Sequence, residues 1–135
     1  MPDLSSHGVV AVVVKDGKYL LLNDVRDLMY GKWAPPHGRC ESTDTSEEDA
    51  VKRETIEETG LRIAPIRQLL TQPADTKVKT VSFWYCELEG ETEVVLDATE
   101  SSEYKWCSVD EALALPLYPG TQIFFEKIKN DEIQI

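Results

Sequence analysis

The sequence predicts a single α/β domain over residues 1–135, built on a mixed β-sheet that helices cover on both faces. The chain has 135 residues, which suits one compact domain. Hydrophobic residues make up 41% of it, enough to form a core. Short apolar or alternating runs, typical of strands, are interspersed with segments of helical character.

The strands are predicted from runs of β-branched and alternating residues. The run from Val9 to Val14 is short and apolar throughout, which is typical of a strand buried on both faces. Asp16-Gly17 then indicates a tight hairpin turn. Further strands are predicted over 19–22, 63–70, 77–88 and 103–107. Residues 23–32 are polar and irregular, and two prolines exclude a helix from 33–38.

Three helices are predicted from their capping signals. The first begins after Thr45 or Ser46, has acidic residues in its first turn, and ends at Thr59 before Gly60. A brief second helix runs over 108–114 and is broken by Pro116. The third follows Pro119 and extends through Lys129.

The charge and the cysteines narrow the class of protein. The net charge is −11, from 25 acidic and 14 basic residues, which argues against a nucleic-acid polymer or an anionic membrane as partner. The three cysteines lack C-x-x-C spacing, so we expect reduced thiols in a cytoplasmic protein. Residues 1–8 show no signal-peptide pattern. The oligomeric state stays open, with a homodimer as one option.

Three glutamates, Glu54, Glu57 and Glu58, fall on one side of the first helix. At about 100° per residue they occupy an arc of about 100°, which they share with Ala50 and Val51. These apolar neighbours favour inward carboxylates over the alternative, a solvated acidic face. Like charges at these spacings repel, and a hard cation with oxygen ligands, Mg²⁺ or Mn²⁺, would reverse that repulsion.

The segment Arg53-Glu54-Thr55-Ile56-Glu57-Glu58-Thr59-Gly60-Leu61 resembles the second half of the Nudix box, R-E-U-x-E-E-x-G-U, in which U is a bulky aliphatic residue. Thr55 is the one departure. Similarity extends to the approach Gly31-Lys32-Trp33 and to the later segment from Glu103 to Ala112.

The first half of the box is less regular. Gly38 fits its opening glycine, but one extra residue then precedes Arg53. We place this residue in the polar loop 41–46, because surface loops absorb insertions and the helix contains no Gly or Pro to accommodate a bulge. Either Glu41 or Asp44 then takes the place of the first box glutamate.

The resemblance implies an α/β/α sandwich and a metal-dependent pyrophosphohydrolase, in which water attacks a phosphorus of a nucleotide. It implies that Glu54, Glu57 and Glu58 bind the metal with the Gly38 carbonyl. Arg53 orients a glutamate, and Glu54 or Glu57 serves as general base. Glu103, or alternatively Glu100, would contribute from a distant loop as a further ligand or as the base.

The substrate is less well defined than the chemistry. A nucleoside diphosphate linked to a group X, or a nucleoside triphosphate, is the expected class, with contacts from Trp33, His37 and Arg39. The segment 33–38 is similar to that of diadenosine tetraphosphate hydrolases, which makes a dinucleoside polyphosphate the alternative substrate. A non-catalytic nucleotide sensor is a further alternative, and an isomerase of the isopentenyl diphosphate type is disfavoured by the short chain.

Overall fold

The computed structural model describes residues 6–74, 78–90 and 93–135. The predicted start of one strand at Lys77 lies outside these ranges. The elements are β1 (His7–Lys15), β2 (Lys18–Asp24), β3 (Trp33–Ala34), β4 (His37–Arg39), α1 (Glu47–Thr59), β5 (Ile63–Pro73), β6 (Thr80–Leu88), β7 (Ser101–Cys107), α2 (Val109–Leu113) and α3 (Pro119–Lys129), with a 3₁₀ turn over Asp27–Met29.

The strands form one mixed sheet, as predicted. Its central order is β3-β2-β1-β6-β5, while β4 pairs with β1 and β7 pairs with β2. Strand β1 runs parallel to β6 and antiparallel to both β2 and β4. Because β4 pairs with the start of β1 and β2 pairs with its end, the two partners share one edge of β1. Beyond the residues where β1 and β2 pair, the two strands separate, and a cleft lies there.

Alternate residues of β1 supply two separate cores, one on each face of the sheet. Val9, Ala11 and Val13 pack with Ala50 and Val51 of α1. On the opposite face, the core joins the sheet to α2 and α3 through Val10, Val12, Phe83, Ala112, Phe124 and Phe125. The predicted α/β/α sandwich, with a central strand buried on both faces, is therefore confirmed.

Helix α1 has the predicted ends. The Ser46 hydroxyl accepts a hydrogen bond from the Asp49 N–H at 3.2 Å. At the other end Gly60 has a φ of 72°, and its N–H donates to the Ile56 carbonyl. The helix is regular between these caps, as expected if the extra residue of the box lies in the preceding loop. The position of the insertion stays a prediction.

Two further expectations concern the thiols and the membrane. Cys40, Cys86 and Cys107 are buried and unpaired, as expected. Burial raises the pKa of the Cys40 thiol to about 11 and that of Cys86 to about 12. None of the helices in the described ranges combines the length and apolar character needed to cross a membrane.

Candidate active site

A cleft of about 570 Å³ opens beside the carboxyl end of β2 and the second half of α1. One end is rich in carboxylates and includes Glu54, Glu58 and Glu100. The other end is largely apolar and includes Val10, Val81 and Phe83. The cleft can therefore accommodate a ligand that is strongly polar at one end and apolar at the other.

Glu58 is the most deeply buried carboxylate of the cleft. It is only 4% exposed and accepts a hydrogen bond from the backbone N–H of His37 at 2.8 Å. Burial raises the pKa of Glu58 well above its ordinary value, and the nearby Glu54 and Glu100 raise it further. The His37 N–H lowers this pKa without cancelling the shift. A cation in the cleft would favour the charged carboxylate.

Glu54 lies against Gly38 at the floor of the cleft. Its side chain is 15% exposed, and a Cβ atom on residue 38 would overlap its carboxylate. Burial raises the pKa of Glu54 to about 6, with added repulsion from Glu57 and Glu100, although Arg53 opposes the shift. Any larger residue at position 38 would therefore displace the Glu54 carboxylate from its present position.

Glu57 departs from the expected inward orientation. Its side chain is 56% exposed and lies 3.3 Å from the Arg53 guanidinium, at the i,i+4 spacing. The prediction that all three glutamates face the body of the protein is confirmed for Glu54 and Glu58 but is wrong for Glu57. The physical reason is that Glu57 borders the solvent side of the arc, where the flexible side chain pairs with Arg53.

Arg53 ties the loop before α1 to the helix. Its Nε and Nη2 atoms donate to the two Asp44 carboxylate oxygens at 3.1 and 2.9 Å, while Nη1 donates to Glu54 at 2.8 Å. Nη2 also donates to the Arg39 carbonyl. Glu41 lies 3.4 Å away but is 58% exposed, compared with 5% for Asp44. Asp44 is therefore the principal loop partner of Arg53.

The distant loop reaches the cleft through Glu100 and not through Glu103. Glu100 lines the cleft and is close enough to raise the pKa of both Glu54 and Glu58. Glu103 is exposed on β7, paired with Asn23 of β2, and is not among the described residues that line the cleft. Of the two candidates for a further metal ligand or base, the structure therefore places Glu100, and not Glu103, at the cleft.

The predicted substrate contacts are only partly brought together. His37 and Arg39 line the cleft. The His37 ring bonds to the Pro35 carbonyl at 2.9 Å and packs edge-on against Tyr118. Trp33 is 4% exposed and belongs to the core on the α3 face. The proposed substrate contact for Trp33 is therefore dropped, because its pairing in β3 directs it into the core.

Sequence reasoning missed a polar cluster formed by Asp24, Arg26 and Tyr118. Asp24 is 4% exposed, at the end of β2, and bonds to Arg26 and to the Tyr118 hydroxyl. Burial alone would raise the pKa of Asp24, but hydrogen bonds from Arg26 and Tyr118 lower it below its ordinary value. Asn23-Asp24-Val25-Arg26 directly after an apolar strand was the available signal, read only as an irregular loop.

The carboxylates are near one another without forming a finished metal site. Across the described ranges, no three His, Cys, Asp or Glu side chains are placed close enough together to hold an ion. Glu54 and Glu58 are fixed, whereas Glu57 is exposed and Glu100 is paired with Arg26. Binding of a cation by the whole set therefore requires side-chain movement.

Comparison with known families agrees with the resemblance of the box. A family model described as the NUDIX domain matches residues 5–128. The chain therefore belongs to the Nudix family, and the family prediction is confirmed. Nudix hydrolases generally use divalent metal ions.

Individual relatives extend this comparison. A Mycobacterium tuberculosis protein provisionally named 8-oxo-dGTP diphosphatase 3 is 29% identical over 104 residues, which cover 73% of this chain and 48% of the relative. The chain thus spans about half the length of the curated relatives it matches.

Solved structures show the same fold. A MutT protein from Methanosarcina mazei Go1 superposes with a TM-score of 0.73 at 26% identity, covering 93% of this chain and 94% of that one. A Caenorhabditis elegans Ap4A hydrolase in a binary complex gives a TM-score of 0.71 at 23% identity, covering 93% and 96%. The second likeness concerns the fold alone.

Proposed function

We propose that this chain hydrolyses a diphosphate linkage in a small nucleotide, of the nucleoside triphosphate or nucleoside diphosphate-X type, by attack of water on phosphorus. The observation that carries the proposal is the grouping of Glu54, Glu58 and Glu100 at one end of the cleft. Burial and mutual repulsion raise the pKa of Glu54 and Glu58. Such a group is costly alone and suits a bound cation.

The donor set at this end fits Mg²⁺ or Mn²⁺. All candidate ligands are oxygens, and Gly38 lies directly against the Glu54 carboxylate. We assign Glu54, Glu57, Glu58 and the Gly38 carbonyl as ligands, with Glu100 as a further one. When bound, the cation would neutralise phosphate oxygens and lower the pKa of the attacking water.

The protein's own groups supply orientation and proton transfer. Arg53 holds the Glu54 carboxylate at 2.8 Å and so limits its rotation. We assign Glu54 as the general base, because Arg53 orients its carboxylate and it lines the cleft. Glu57 and Glu100 are the alternative bases, because each lies at the edge of the same carboxylate group.

The apolar end of the cleft supports a nucleotide over inorganic diphosphate. Val81 is partly exposed there, with the buried Val10 and Phe83 also in the lining, and Gln72 adds a carboxamide whose NH₂ group donates to the Gly120 carbonyl at 3.0 Å. A planar base at this end would place its phosphates toward Glu54 and Glu58. The cleft volume of about 570 Å³ lies within the range for small-molecule sites.

A substrate panel tests the proposal. The purified chain would be incubated with nucleoside triphosphates, ADP-ribose, a UDP-sugar and diadenosine tetraphosphate in Mg²⁺ and ¹⁸O-labelled water. We expect one class to release a nucleotide product with ¹⁸O in one phosphate. Preference for diadenosine tetraphosphate would favour the alternative suggested by segment 33–38. Binding without turnover of any compound would instead favour a nucleotide sensor.

Metal removal provides the first quantitative prediction. Chelation with EDTA is expected to abolish turnover, and excess Mg²⁺ to restore it, because the buried carboxylates need a cation to act on an anionic substrate. Mn²⁺ is expected to substitute for Mg²⁺. Turnover that persists unchanged after chelation and dialysis would exclude the metal-dependent mechanism.

A further inference from the structure

Arg26 is a cation at the carboxylate end of the cleft that the Nudix box does not include. It follows β2 and lines the cleft beside Asp24 and Glu100. Its side chain is 43% exposed, although the side chain of its partner Asp24 is only 5% exposed. The guanidinium is thus anchored on a buried group while remaining accessible from the cleft.

Asp24 fixes the plane of this guanidinium. The Arg26 Nε atom donates to Asp24 Oδ1 at 3.0 Å, and Nη2 donates to Oδ2 at 3.1 Å. The Arg26 backbone N–H also donates to Oδ1, at 2.7 Å. Two parallel bonds of this kind define both position and orientation. Tyr118 donates its hydroxyl to Asp24 Oδ2, which links the pair to the start of α3.

Arg26 keeps donor capacity after these contacts. Its Nη1 atom donates to Glu100 at 3.3 Å, so the two carboxylates use three of the five guanidinium N–H groups. The Tyr118 hydroxyl lies close enough to take a fourth. At least one N–H group is therefore not used by residues 6–74, 78–90 or 93–135 and can serve a ligand in the cleft.

The surrounding charges indicate which ligand. Among the described residues that line the cleft, Arg26 and Arg39 are the two with a permanent positive charge, against six carboxylates. The charge of Arg26 is felt by Glu58, whose pKa it lowers. Arg26 therefore lies at the catalytic end, where the phosphates of a nucleotide would be. A planar guanidinium matches pairs of phosphate oxygens.

We propose that Arg26 binds a phosphate group of the substrate, and that Asp24 and Tyr118 are positioning residues that hold its guanidinium for this contact. The identity of the substrate rests on the proposed function, but phosphate binding at Arg26 can be measured without hydrolysis.

Inorganic tripolyphosphate is a suitable probe, because it offers a phosphate chain without a base. Its Kd would be measured by titration calorimetry on the full chain in Mg²⁺. We expect Arg26→Ala to weaken binding at least about tenfold, since it removes a charge-assisted hydrogen bond, and Arg26→Lys to restore part of the loss. Lys52→Ala, which removes the same charge from an exposed position on α1, is expected to leave Kd nearly unchanged.

A purely structural role for Arg26 predicts a different pattern. Arg26→Ala leaves Asp24 buried without its counter-ion and is expected to lower the melting temperature. Adding Asp24→Asn removes that charge, so the double variant should regain stability while tripolyphosphate binding stays weak. A double variant that binds tripolyphosphate like the wild type would show that Arg26 only neutralises Asp24, and would overturn the proposal.

The two proposals fail separately. Wild-type protein that hydrolyses no nucleotide of the panel, yet loses tripolyphosphate binding on Arg26→Ala, contradicts hydrolysis and supports the Arg26 site. Hydrolysis of a nucleotide together with unchanged tripolyphosphate binding by Arg26→Ala contradicts the Arg26 site and leaves the proposed function intact.

Tyr118→Phe, which removes one bond to Asp24, is expected to weaken binding by a smaller factor than Arg26→Ala. An unchanged Kd would remove Tyr118 from the positioning role.

Discussion

The Glu58 carboxylate is held in a buried position by the packing of α1. The carboxylate is 4% exposed, and the hydrogen bond from the His37 N–H compensates only part of its lost hydration. Ala50 and Val51, both about two turns earlier, are buried, so the helix cannot rotate Glu58 outward without exposing apolar surface. The burial of this charge is thus imposed by the packing of α1.

Glu58→Gln separates catalysis from stability. We expect kcat at saturating Mg²⁺ to fall at least about tenfold, because a charged ligand is lost. The metal-free variant should melt at a higher temperature than the wild type at neutral pH, since a neutral amide oxygen still accepts from His37. Glu48→Gln, on the exposed side of α1, is the matched control and should change neither property. Retention of wild-type kcat by Glu58→Gln would exclude Glu58 as a ligand.

The burial pattern of single residues on α1 shows where sequence reasoning stops. Thr55 and Thr59 are fully buried although both are polar, while Ile56 is 49% exposed although it is apolar. The threonine hydroxyls donate to the carbonyls of Val51 and Thr55, four residues earlier. This local bonding lets polar residues occupy core positions. The pattern of apolar residues in the sequence does not reveal these side-chain hydrogen bonds, so it predicts the buried face of α1 only approximately.

At the scale of elements, the loop between β4 and α1 acts as a clamp. Asp44 accepts two hydrogen bonds from Arg53, and its Oδ2 also accepts from the Glu41 N–H at 2.7 Å. Arg53 in turn contacts Glu54. The loop predicted to hold the extra residue of the box therefore still supports the carboxylates of the helix.

Asp44→Asn and Glu41→Gln form a matched pair that tests this clamp. Both remove one negative charge near Arg53. The Asp44 side chain is buried and accepts two hydrogen bonds from Arg53, whereas the Glu41 side chain is exposed. We expect Asp44→Asn to lower kcat several-fold and Glu41→Gln to have little effect, as is usual for exposed pairs. Equal effects in steady-state kinetics would indicate general electrostatics and not a specific clamp.

Most elements were predictable because their signals are local. The β-branched run of β1, the Asp16-Gly17 turn and the caps of α1 each depend on neighbouring residues. The contacts of Asp24 with Tyr118 join residues 94 positions apart, and the choice of Glu100 over Glu103 depends on where β7 begins. Such long-range placement is decided by the packing of the whole sheet, so no local pattern reveals it.

At the scale of the whole molecule, the raised pKa values connect stability to pH. Burial raises the pKa of Glu54 from an ordinary value of 4.5 to about 6, and it raises the pKa of Glu58 well above the same ordinary value. The folded state therefore binds more protons than the unfolded state between these values. Their contribution to the free energy of unfolding falls as pH rises above about 4.5, through about 6 for Glu54, and the raised pKa of Glu58 acts in the same direction.

Thermal unfolding in EDTA between pH 5 and 8 would measure this linkage. We expect the double variant Glu54→Gln/Glu58→Gln to gain stability relative to the wild type as pH rises. Addition of Mg²⁺ at pH 8 should raise the melting temperature of the wild type more than that of the double variant. Identical pH slopes for the two proteins would contradict the assigned titrations.

Parallel pairing of β1 with β6 delays closure of the sheet during folding. His7 lies beside Thr80 in this register, and their side chains bond across 73 positions of the chain. Closing so long a loop slows folding, whereas α1 can form from local contacts. Glu54 and Glu58 would therefore stay hydrated until late in folding. We expect Mg²⁺ to slow unfolding in stopped-flow experiments while leaving the refolding rate nearly unchanged, because the cation binds a site completed after the rate-limiting step.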